Sequence, residues 1–176
     1  MKVTENDLEF DFANALSAFK FDDGSTHESS SIQAVDFIIE YDDHYEFIEV
    51  KDPDKPGASD VPAFIGKLKS GKLIRKLAGK YRDSLFFRGF EENKNKEIQY
   101  IVLLSMSELD DAQLLTLHEQ LQKSIPFSHE KWKKNSVSAC VILNINQWKR
   151  RYGDESVRRL SEVVLEHGDV LPAEEA

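Results

Sequence analysis

Leu8, Phe12, Ala15, Leu16 and Phe19 recur at helical spacing behind Thr4 and Asp7, an N-cap with its reciprocal acid, and predict a first helix over residues 5–18. Residues 19–21, Phe-Lys-Phe, begin a short strand, and residues 22–31 form a Gly/Ser/Asp-rich loop. The period then changes. Residues 32–41 and 45–51 are dense in Val, Ile, Phe and Tyr and flank Asp42-Asp43-His44, which predicts a β-hairpin. Pro53, Pro56, Gly57 and Pro62 end its second strand in a loop. The helix over residues 63–87, interrupted by Gly66, Gly71 and Gly79, presents Ile74, Leu77, Ala78, Tyr81 and Leu85 as one apolar stripe and places Lys72, Arg75, Lys76 and Lys80 on the opposite side. Residues 98–106 read as a buried strand, Ser107 caps a helix running to 123, residues 137–143 read as another buried strand, and a last helix starts at 147. From Glu162 onward there are five acids and no Lys or Arg, which predicts a solvated acidic tail.

This order of elements implies an α/β fold with a mixed central sheet flanked by helices. At 176 residues, 40% hydrophobic and 31% charged, the chain suits one globular domain over residues 1–176. No apolar run approaches the roughly 20 residues that a membrane helix needs. The first 20 residues are acidic and interrupted, unlike a signal peptide. The expectation is a cytoplasmic protein with no membrane partner. The single cysteine, Cys140, sits among apolar neighbours and is expected in the core.

Charge changes the picture through its distribution. The net value is −9, yet residues 1–60 hold 16 acids against four bases, while residues 67–88 hold eight bases against one acid. A merely solvated helix face usually alternates its signs. The run Lys67, Lys69, Lys72, Arg75, Lys76 and Lys80 is therefore a candidate for tracking a phosphate backbone, with DNA the expected partner. Gly66 to Lys72 mimics the start of a phosphate-binding P-loop, but Leu73 stands where a Ser or Thr must ligate magnesium, and an NTPase is rejected.

The chemistry concentrates on the hairpin. With an even number of turn residues, paired residue numbers sum to 85, and Asp36 faces Glu49. Side chains on one face recur every second residue, so Glu49 and Lys51 share a face with Asp36 opposite, while Val35, Phe37, Ile48 and Val50 point the other way and leave the charged site exposed. Two carboxylates about 5 Å apart repel. A divalent cation, Mg²⁺ or Mn²⁺, compensates such a pair and is commonly held by one or two carboxylates, waters and substrate phosphate. A neighbouring ammonium such as Lys51 orients a nucleophile or shares transition-state charge in metal-assisted phosphodiester hydrolysis.

Val35-Asp36 on one strand followed by Glu49-Val50-Lys51 on the next resembles the PD-(D/E)xK nuclease signature. Val35 stands where the namesake proline would be. The twelve-residue gap between Asp36 and Glu49 is similar to that of archaeal Holliday-junction resolvases. The resemblance implies a restriction-endonuclease-like αβββαβ core over about residues 5–105, with a C-terminal strand and helices over about 107–165. It implies Asp36, Glu49 and the Val50 carbonyl as metal ligands, Lys51 as the catalytic lysine, and a Glu from the first helix as a further ligand. Glu9 fits that last role, sharing a stripe with Phe12, Ala13 and Leu16, and Glu5 competes for it. The activity it implies is a metal-dependent DNA endonuclease of the resolvase, repair or antiviral-defence type, working as a homodimer or beside a protein that supplies specificity. The alternative is a nuclease-fold binding or scaffold subunit whose site is no longer used.

Overall fold

The computed structural model describes residues 1–23, 32–89 and 96–162. Its centre is a five-stranded mixed sheet in the order β3-β4-β5-β6-β7, formed by Ser17–Lys20, Phe37–Glu40, His44–Lys51, Glu97–Leu104 and Ala139–Leu143. β3, β4 and β5 run antiparallel, and β6 and β7 continue parallel to β5. In the antiparallel part β4 and β5 are joined by a tight turn, whereas β3 and β4 are separated by residues 21–36; the parallel part needs crossovers, which here are helical. The first crossover carries α1 (Val61–Lys69) and α2 (Lys72–Gly89), and the second carries α3 (Asp111–Ser124). Both α2 and α3 pack on the same face through Leu73, Ile74, Leu77, Tyr81, Leu114, Leu117 and Leu121.

The other face is covered by α4 (Ile145–Tyr152) and by a second sheet of three strands, β1 (Lys2–Glu5), β2 (Leu8–Asp11) and β8 (Val157–Arg159), in the order β1-β2-β8. Leu8, Phe10, Phe12 and Trp148 form its core against Phe37, Ile39, Ile48 and Val50. Trp148 is fully buried, with its ring 5.3 Å from that of Phe10. Two capping boxes start the later helices, Asp110 with Gln113 and Asn144 with Gln147. Ser107 therefore caps nothing, and the α3 start lies at Asp110. No described helix is long and apolar enough to cross a membrane. Cys140 is buried, as its neighbours implied.

The N-terminal helix expected over residues 5–18 is replaced by a hairpin. Asn6 adopts φ +53°, a left-handed conformation that asparagine tolerates, and the chain turns so that Glu5 pairs with Leu8. The helical stripe omitted Phe10. Leu8, Phe10 and Phe12 alternate with Glu9 and Asp11 at period two, and the three apolar residues are buried while Leu16 is 51% exposed. The single helix expected over 63–87 is two, divided where Gly71 takes φ +67°. The helix expected from 147 spans Ile145–Tyr152, beyond which a 3-10 turn leads into β8, which pairs with β2 and is followed by helical residues 160–162. Of the acidic tail, only Glu162 lies within the described residues, and the predicted loop residues 24–31 lie outside them.

Candidate active site

The β4–β5 hairpin closes on Asp42-Asp43, with Tyr41 N–H donating to the His44 carbonyl at 2.9 Å. Every pair from Phe37↔Ile48 to Glu40↔Tyr45 sums to 85, the register that the even-length turn implies. Asp36 is the residue immediately before β4, and its carboxylate accepts the Val50 N–H at 2.7 Å. Phe37, Ile48 and Val50 face the N-terminal sheet, as the alternation requires. Val35 does not. It precedes the regular strand and packs in the α2 layer with Tyr45 and Phe47, so the two-residue period cannot be extended back to it.

Helix α2 holds this entry to β4 at three points on one of its faces. Asp83 accepts the Gln33 N–H at 3.0 Å, the buried Ser84 hydroxyl accepts the Val35 N–H at 2.9 Å, and Lys80 Nζ lies 3.0 Å from Asp36 Oδ1. Lys80 Nζ is also 2.9 Å from Glu49 Oε1 and 3.4 Å from Asp22 Oδ2. The carboxylates of Asp36 and Glu49 thus converge on one ammonium. Lys51 Nζ donates to Glu49 Oε1 and to the Val50 carbonyl, the latter at 2.9 Å.

Contrary to the exposed site that the strand alternation suggested, Glu49 is wholly buried and Asp36 nearly so. The face carrying them packs beneath α2 instead of facing solvent. Lys80 is buried too, at 7% exposure, and does not belong to a solvent-facing basic stripe. Its spacing explains this: Leu73, Leu77, Lys80 and Ser84 follow a 4-3-4 seam, and all four are buried. Lys67, Lys69, Lys72, Arg75 and Lys76 are exposed. Arg75 reaches back to the Ser70 carbonyl at 3.4 Å.

Electrostatics follow from this burial. Removal from water pushes the Glu49 carboxyl up; Lys51 and Lys80 pull it down, Asp36 pushes with burial, and the balance lies at about 7. Burial alone would depress the Lys80 ammonium, but Glu49 and Asp36 outweigh it and raise it above its ordinary value. Lys80 is therefore a charged counter-ion at neutral pH.

The site opens on a cleft of about 560 Å³, with Asp36, Val50 and Lys51 at its base. The β1–β2 turn contributes Glu5 and Asn6, and the helices contribute Lys67 and Lys76. Its rim beyond Lys51 is clamped: Arg159 of β8 binds Asp52 through two nitrogens at 2.9 and 2.8 Å, and also bonds Ser105 at 3.0 Å. Glu9 is not among the cleft residues. It lies on β2 of the smaller sheet, paired with Lys2 at 3.0 Å and Arg158 at 2.7 Å, because the helix meant to carry it does not form. Glu5 reaches the cleft, where it pairs with Lys20 at 2.9 Å.

As a candidate metal centre the arrangement offers hard oxygen donors: the carboxylates of Asp36 and Glu49 and the Val50 carbonyl. Glu49 Oε2 is buried without a hydrogen-bond partner, the kind of orphaned oxygen that a cation satisfies. The donors fit magnesium or manganese in type. Among the described residues no three His, Cys, Asp or Glu side chains form a group able to hold a metal ion, so further ligands would be water or substrate oxygen. No protein family, curated protein or solved structure matches this chain.

Proposed function

We propose that the chain is a metal-dependent nuclease of the PD-(D/E)xK type, hydrolysing phosphodiester bonds at Asp36, Glu49 and Lys51. The observation that carries this reading is the convergence of the Asp36 and Glu49 carboxylates beside Lys51, with Glu49 buried behind a lysine-bearing cleft that Asp36 and Lys51 line. The connectivity supports it as well: β3, β4, β5, the α1–α2 crossover and β6 follow the βββαβ order of the expected core, with a hairpin in place of its first helix.

In this reading Asp36, Glu49 and the Val50 carbonyl would hold the cation, which would supply an activated water and electrophilic stabilisation of the phosphoryl oxygens. Lys51, one-fifth exposed at the cleft base, places its ammonium where a scissile phosphate develops charge. Lys67 and Lys76 meet the flanking phosphates of a DNA strand. The decisive test is cleavage of plasmid and branched DNA with Mg²⁺ or Mn²⁺ against chelator, with Lys51→Ala as control. Metal-dependent cutting that falls about 10²–10³-fold in the variant supports the reading, and no cutting with either ion overturns it.

A double Lys67→Ala/Lys76→Ala change should weaken DNA binding across all sequences and flatten its salt dependence by up to about two units of slope, because each lost phosphate contact releases about one counter-ion fewer. Affinity measured from low to moderate salt checks this; parallel slopes in variant and parent would assign these lysines to the solvated surface.

One observation favours a second reading. Two ammoniums already neutralise the two carboxylates, as in a nuclease fold kept as a binding or scaffold subunit. DNA binding that leaves the strand uncut under both ions would select it. A homodimer or a partner that confers specificity belongs to either reading.

A further inference from the structure

Lys80 stands where the metal reading needs a cation. Its Nζ is 3.0 Å from Asp36 Oδ1 and 2.9 Å from Glu49 Oε1, with the side chain 9% exposed, so it bridges the same two carboxylates that a divalent ion would claim. Resting on the nuclease reading, we infer that Lys80 is a built-in counter-ion which a divalent cation must displace, so that metal binding is conditional on a polyanion entering the cleft.

The charge count gives the reason. With both carboxylates ionised, Asp36 and Glu49 contribute −2 and Lys51 and Lys80 contribute +2, so these four buried or part-buried groups sum to zero, with the half-exposed Asp22 standing 3.4 Å from Lys80 at the solvent side. Adding a divalent ion leaves +2 uncompensated in a site whose residues are largely withdrawn from water, an unfavourable condition. A nucleic-acid strand supplies one negative charge per phosphate and can accept the displaced ammonium. The cleft gives that ammonium a destination, since Lys80 lines it alongside Lys51 and Lys76. The donor set points the same way. With two buried carboxylates and one carbonyl, and no group of three His, Cys, Asp or Glu side chains able to hold a metal ion among the described residues, the remaining ligands have to come from water or phosphate. Metal and polyanion therefore each favour the other, and linkage makes that preference reciprocal.

The test is a calorimetric titration of the full chain with Mn²⁺, alone and saturated with a phosphorothioate DNA duplex; a methylphosphonate duplex, which has no backbone charge, serves as control. The expected result is Mn²⁺ binding tightened about 10–100-fold by the charged duplex and unaffected by the neutral one, with the charged duplex tightened by the same factor when Mn²⁺ is present. Lys80→Met should bind Mn²⁺ at least about tenfold tighter than the parent without any duplex, whereas Lys80→Arg should keep the parent's behaviour. If Lys80→Met does not fold, the parent titrations decide alone. Equal Mn²⁺ affinity with and without the charged duplex overturns the displaced counter-ion and leaves the metal site standing. Absence of Mn²⁺ binding under every condition, together with no cleavage, overturns both.

Discussion

Lys80→Met should lower metal-free stability by about 3–5 kcal/mol, one of the two largest effects expected of any single change here. The methionine fills the volume but leaves Asp36 and Glu49 buried with one counter-ion fewer. Asp36 retains the Val50 N–H and Glu49 retains Lys51, so the loss is that of the bridge between them. In a chain of 176 residues this corresponds to a melting temperature lower by about 10 °C. Urea unfolding in chelator, parent against variant, measures it. A change under about 1 kcal/mol would mean that the carboxylates are satisfied without Lys80.

Glu49→Gln should separate catalysis from stability. On the proposed nuclease reading, cleavage should fall about 10²–10³-fold, because the neutral amide is a weaker ligand for a divalent ion than the anionic carboxylate. Stability without metal moves the other way with pH. Burial lifts the Glu49 carboxyl to about 7 from an ordinary 4.5, so the folded chain holds that proton more tightly than the unfolded one. The stabilisation from Glu49 is then fully present below about pH 4.5 and is lost as pH rises through about 7. Glutamine carries no such proton. The stability difference should therefore shift in favour of the variant by about 3 kcal/mol between pH 4.5 and 8. Urea midpoints of both proteins at the two pH values check the sign, and a shift favouring the parent would show the ionised carboxylate to be net stabilised by its two lysines.

Asp36 behaves differently from Glu49, although the sequence presents them as a matched repelling pair. Its oxygens serve the Val50 N–H and Lys80, so its removal strands a buried donor and leaves Lys80 with Glu49 as its buried partner. That distinction was invisible in the hairpin pattern, which shows facing positions and no third element.

The register itself was legible, because an even turn and a two-residue period leave one solution that buries Phe37, Ile39 and Ile48 together. The buried parallel strands were equally plain from their unbroken apolar runs. Lys80 was open to discovery, since its place in the 4-3-4 seam with Leu73, Leu77 and Ser84 outranks its charge. Reading charge before spacing put it on the wrong face. At the N-terminus, Leu8 and Phe12 satisfy both periods, and only Phe10 tells strand from helix. β8 carries the weakest signal: Val157-Arg158-Arg159 has one apolar residue, and its pairing with β2 depends on a partner far away in the chain.

That distance has a consequence for how the cleft is completed. Asp7 and Ser161 meet across a separation of 154 residues, the most remote of the pairings that tie β8 and the residues after it to the β1–β2 hairpin. Closing so long a loop spends conformational entropy before any contact repays it, and such pairings form slowly. The carboxylate–lysine centre draws on side chains between residues 22 and 80, whereas the clamp on Asp52 waits for Arg159. During synthesis the centre can therefore assemble while the rim beside it is still open, and the cleft acquires its final shape only when the last described strand docks.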